Sequence, residues 1–99
     1  MDVRDSFGKA LRFVRQRKGL SQEDFSLISS RNFVGMLERG TTGLTLEKLN
    51  SLCTVLGVHP VTLLAMTYLA DPETSDESEK LLKTVSSELK DLLGNSKVR

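Results

Sequence analysis

The sequence predicts an all-α fold, with five short helices in one domain followed by a C-terminal amphipathic helix. Three observations carry that prediction. Apolar residues recur at spacings of three and four instead of alternating. Leu dominates them, Trp is absent, and β-branched residues form no alternating run. Glycines and capping residues cut the chain into helix-length pieces. Its 99 residues suit one domain plus a short appendage.

The first helix is predicted over roughly residues 6–18, with Phe7, Ala10, Leu11 and Val14 on one face, Asp5 or Ser6 as N-cap and Gly19 as the stop. Arg12, Arg15, Arg17 and Lys18 gather near its end with no acid among them, where cations complement the helix dipole. A second helix is predicted over about 21–28, since Ser21 and Asp24 have capping-box spacing and Phe25 and Ile28 supply apolar positions. Ser29 and Ser30 interrupt it. Ser30 then caps a third helix, which carries Phe33, Val34 and Leu37 and ends at Gly40.

Thr41, Thr42 and Gly43 form a polar loop, after which Thr45 caps a fourth helix with Leu46, Leu49, Leu52, Cys53 and Leu56 along one side and Gly57 at its end. His59 stands as a cap before Pro60, which suits a first helical position. Val61, Leu63, Leu64, Met66, Tyr68 and Leu69 make this fifth helix more apolar than one small core requires. An acidic linker is expected over 71–75, dividing a domain at 1–70 from a C-terminal helix and tail at 76–99. Asp76 with Glu79, or Thr74 with Glu77, offers a capping box for that sixth helix, over about 76–93. Leu81, Leu82, Val85, Leu89, Leu92 and Leu93 form its apolar stripe, and Gly94-Asn95 its stop.

Charge is uneven. Residues 1–40 hold eight Lys or Arg against five Asp or Glu, whereas residues 71–99 hold five against seven. Cys53 has no partner for an intramolecular disulfide and reads as a small core residue, which fits a reducing compartment. One His with one Cys furnishes no metal site, and no Gly-rich phosphate loop or nucleophile–base pair is present. The expectation is a non-enzyme without cofactor, metal or small-molecule ligand. No apolar run approaches the ~20 residues that cross a bilayer, and Met1-Asp2-Val3-Arg4 opens no signal region, so a cytoplasmic protein away from the membrane is expected.

Ser21-Gln22-Glu23-Asp24-Phe25, Leu37-Glu38-Arg39-Gly40, Thr45-Leu46-Glu47-Lys48-Leu49 and Leu56-Gly57-Val58 follow one another in order. Together they resemble the phage-repressor, or xenobiotic-response-element, family of helix-turn-helix regulators over residues 6–69. The resemblance implies the five-helix repressor-like helix-turn-helix domain, with its third helix in the DNA major groove. Between Gln22 and Glu38 the chain is shorter than the family pattern by roughly two residues, lacking the usual Gly and apolar residue of the turn.

Arg31 and Asn32 fall in the first turn of that helix. Arg matches two acceptors on guanine and Asn the donor and acceptor of adenine, so these two are the candidates for base reading. The resemblance places Gly35 and Met36 later on the same exposed face, with Met36 alternatively in the core. It gives Gln22 a phosphate-contacting role, and Ser30 adds a capping hydroxyl beside free N–H groups. Arg39, Thr41 and Thr42 are further phosphate candidates. It also pairs Glu38 with Arg15 as a structural ion pair that orients the recognition helix.

These readings point to a sequence-specific, double-stranded-DNA-binding transcriptional regulator. One helix reads few base pairs, so a homodimer or higher homo-oligomer on a roughly palindromic operator is expected, with half-sites ~34 Å apart. Met66, Leu69, Leu81, Val85, Leu89 and Leu92 are the candidate dimer interface, unless the sixth helix folds back on its own domain. The alternative function is a protein-binding module, anti-activator or antitoxin-like, that keeps the fold and reads little DNA.

Overall fold

Asp2 starts the first helix a turn sooner than the apolar spacing predicts. In the computed structural model, which describes residues 1–69 and 75–94, its carboxylate accepts from the backbone N–H groups of Arg4 and Asp5 at 3.0 and 3.3 Å. The helix α1 therefore runs Val3–Arg17, and Asp5 and Ser6, the expected caps, lie inside it. Asp2 reaches the otherwise orphaned N–H groups first, and a helix begins where those groups are satisfied.

The expected second α-helix is instead a 3-10 helix, Gln22–Phe25, that passes into turns. Asp24 bonds the Ser21 backbone N–H at 2.6 Å and its hydroxyl at 3.1 Å, so the capping box forms. The backbone bonds beyond it, Ser26 to Glu23 and Ile28 to Phe25, both at 3.0 Å, close after three residues. The shortened connection holds one tight turn where the family pattern has a longer one. Ser30 then accepts from the Phe33 N–H at 3.1 Å and starts α2, Arg31–Glu38.

Thr45 caps α3, Leu46–Leu56, and Gly57 ends it with φ of 73°. His59 Nδ1 accepts from the Val61 N–H at 3.0 Å and Pro60 takes the first position of α4, Pro60–Thr67. The last helix, α5, runs Ser75–Gly94. Among the described residues every regular element is helical, and no single helix is long and apolar enough to cross a membrane. The chain divides into two compact units, Met1–Tyr68 and Leu69–Arg99. Of the expected linker, residues 71–74 lie outside the described residues and Ser75 opens α5; Thr74 and Asn95, offered as cap and stop, lie outside them also.

The core of the first unit joins Phe7, Ala10, Leu11 and Val14 of α1 to Phe25, Val34, Leu37, Leu49, Leu52, Cys53, Leu56 and Leu63. A fully buried Leu such as Leu11 or Leu37 contributes about 2 kcal/mol by leaving water. Burial also pushes the Cys53 thiol pKa up, which keeps it neutral. Leu46, expected with the core residues of its helix, is exposed, as are Val61, Leu64 and Tyr68 of the fifth expected helix.

Two glycines set how closely α1 and α2 approach. A Cβ on Gly8 would land on the Leu37 carbonyl oxygen and stand 2.6 Å from that of Glu38. Gly40 has φ of 75° and its missing Cβ would stand 2.9 Å from Asp5 Cα. Backbone cannot rotate aside as a side chain can. Gly8→Ala is therefore expected to lower stability by about 2 kcal/mol despite the better helix propensity of Ala, measured by urea denaturation; a gain in stability would refute the close contact.

Candidate nucleic-acid interface

The first unit presents α2 through a buried polar cluster. Arg15, in the last turn of α1, donates from Nε and Nη2 to the two oxygens of Glu38 at 2.6 and 3.0 Å. Its Nη1 donates to the Leu20 carbonyl at 2.9 Å, and Gln22 Nε2 donates to Glu38 Oε1 at 3.1 Å. One guanidinium and one carboxylate thereby join α1, the 3-10 helix and the end of α2. The two side chains are only 11% and 5% exposed. The hydrogen bonding that Arg15 donates to Glu38 pushes the Arg15 pKa up, against a desolvation that pulls it down.

The resemblance paired these two residues, and the structure joins them. It gives Gln22, expected at phosphate, an inward contact in the free protein, with one of its two amide hydrogens committed to Glu38. Gly35, expected on the exposed face, is buried: a Cβ there would stand 3.1 Å from Arg39 Nη1 and 3.7 Å from Gln22 Oε1. Those two side chains lie across the helix because residue 35 has none.

The remaining face of α2 is open. Arg31, Asn32, Met36 and Arg39 are all exposed, so Met36 is not a core residue. Arg31 Nη1 donates to Glu23 Oε1 at 3.0 Å. Ser30 spends its hydroxyl on the cap, and Thr41 donates to the Met36 carbonyl at 3.1 Å. Thr42 is half-buried and lines an apolar groove with Val3, Phe7, Leu44, Leu64 and Tyr68. Arg12, Arg17 and Lys18 are exposed, with Arg17 lying 4.8 Å over the Phe13 ring. Of the dimer candidates, Met66, Leu69 and Leu81 are half-buried and Val85, Leu89 and Leu92 exposed.

Lys48 was not anticipated. From α3 its Nζ donates to the Ile28 carbonyl at 2.5 Å and sits 5.7 Å over the Phe33 ring. It thus ties the short turn and the start of α2 to a third element. A cation in the first turn of a helix opposes the dipole, and that misfit was the available signal.

A short capped helix that shows Arg and Asn at its open end, and is braced from behind by the element before it, defines a helix-turn-helix DNA-binding domain. The helix-turn-helix family model matches residues 11–63. The chain belongs to this family, in its xenobiotic-response-element branch of DNA-binding transcriptional regulators. Among solved structures it is similar to the restriction-modification controller protein C.AhdI from Aeromonas hydrophila, at 38% identity over 60% of this chain and 92% of that one, with a TM-score of 0.57. The clp gene regulator ClgR from C. glutamicum is 27% identical over 70% of this chain and 96% of that one, with a TM-score of 0.62. A second ClgR structure, from Corynebacterium glutamicum, is 22% identical over 91% and 92% of the two chains, with a TM-score of 0.63, and shows the fold alone. No curated protein matches.

Removing Glu38 leaves the Arg15 charge buried without its partner. Glu38→Ala is expected to cost ~3–5 kcal/mol of stability in urea denaturation. A loss below 1 kcal/mol, on the scale of about 0–1 typical of surface pairs, would show that the pair holds nothing.

Proposed function

We propose that the chain is a sequence-specific transcriptional regulator that lays α2 in the major groove of a near-palindromic operator and acts in the cytoplasm as a homodimer. The observation that carries this is the asymmetry of α2, whose last residue is locked to α1 while its first two, Arg31 and Asn32, stand exposed. Arg31 suits guanine and Asn32 adenine, with Met36 beyond them for a thymine methyl. Arg39, the Ser30 hydroxyl and the second amide hydrogen of Gln22 serve the phosphates, Thr41 and Thr42 join them once their hydroxyls release the Met36 and Gly43 carbonyls, and Gly35 leaves room for Arg39 and Gln22 to lie across the helix. The likeness to a restriction-modification controller protein and to a clp gene regulator supports gene regulation as the activity.

Binding of the full chain to duplexes selected from a randomised pool is the test. Phosphate neutralisation makes affinity fall steeply with salt; a protein-binding module would leave DNA unbound even at low salt. Arg31→Ala is expected to lose ~1–3 kcal/mol at one base position, and equal losses on selected and random duplexes would remove its base-reading role.

The dimer is assigned to Met66, Leu69, Leu81, Val85, Leu89 and Leu92, since an apolar stripe along an otherwise polar helix gains by leaving water. In this division residues 1–70 read DNA and 76–99 oligomerise across the 71–75 linker. A chain ending at Ala70 is expected to sediment as a monomer and bind the selected duplex more weakly. A dimer of undiminished affinity would remove Leu81, Val85, Leu89 and Leu92 from the interface.

A further inference from the structure

Consecutive residues of the 3-10 helix hold opposite ends of α2. Gln22 turns inward to Glu38, the last residue of that helix, at 3.1 Å. Glu23 turns outward to Arg31, the first, at 3.0 Å. The settings differ sharply, because the Glu23 and Arg31 side chains are 68% and 70% exposed. An exposed pair adds little to folding, so stability does not explain a carboxylate on a surface that meets phosphates.

We propose that Glu23 is a positioning residue for Arg31 that raises discrimination between operator and random DNA, an inference that rests on α2 being the groove helix. Arginine carries five N–H donors in a planar fork, of which Glu23 engages Nη1. The Nε and Nη2 edge stays available for the paired bonds to guanine O6 and N7. A fork held in place beforehand loses less rotamer freedom on binding. The same carboxylate repels phosphate and makes Arg31 a poorer partner for the backbone of unrelated DNA. Both effects widen the gap between specific and non-specific affinity.

The full-length chain is titrated by fluorescence anisotropy with a duplex it selects from a randomised pool and with a random duplex of equal length. Glu23→Gln is expected to weaken the first and tighten the second, lowering their ratio about tenfold, with an unchanged unfolding midpoint. In an Arg31→Ala background the same substitution is expected to leave the ratio unchanged, which a general loss of surface charge would not do. A ratio unaltered by Glu23→Gln, or altered equally without Arg31, overturns the proposal. A chain that selects no duplex overturns the groove-helix reading and this proposal with it; selection with an unaltered ratio overturns this proposal alone.

Discussion

The buried pair of Arg15 and Glu38 is the constraint on which the rest of the first unit depends. Glu38 ends a helix, where the dipole disfavours an acid, and it is buried, where water cannot compensate. Both penalties fall only if Arg15 arrives with its Nε and Nη2 edge and Gln22 adds a third hydrogen bond to the carboxylate. Arg15 arrives because Gly8 lets the backbones touch. The two residues lie two turns apart on one face of α1, so the glycine that meets the Glu38 carbonyl sets the distance at which the arginine meets its carboxylate. Such a pair adds little net stability against an apolar substitute. What it does is join α1 and, through Gln22, the 3-10 helix to the end of α2.

That explains why part of the unit was legible in the sequence and part was not. The Ser30 and Thr45 caps, the Ser21–Asp24 box and Pro60 act through bonds within a few residues, and each stands where its residue type predicts. The apolar positions of α1 and α3 were legible for the same reason, except Leu46, whose place beside the cap turns it outward. The 3-10 helix was missed because Phe25 and Ile28, three apart, satisfy either helix type; the short connection decides between them. Asp2 was passed over because the periodic pattern was counted from Phe7, although Val3, four residues earlier on the same face and itself exposed, carries it back to the cap.

The site shows the same division. Local reasoning placed Arg31 and Asn32 in the first turn after the Ser30 cap, and there they are exposed. The Arg15–Glu38 contact joins positions 23 apart, and only the family resemblance supplied it. Gly8 and Lys48 carried signals of another sort, a glycine inside a helix and a cation at the wrong end of one. Each costs its own helix something that local structure does not return. Each is explained by a partner on another element, the α2 backbone for Gly8 and the Ile28 carbonyl for Lys48.

The two ends of α2 therefore obey different electrostatics. At its C-terminal end the charges are out of water, and salt screens them little. At its N-terminal end Arg31 and Glu23 share the solvent with any approaching phosphate, and salt screens all three alike. Added salt thus weakens the Glu23–Arg31 pair and leaves the Arg15–Glu38 pair in place. The C-terminal end of α2 is set by the fold, and the charges at its N-terminal end answer to the solution. A domain of this size keeps both properties because its only deeply buried ion pair lies, among the described residues, at the end of α2 away from Arg31.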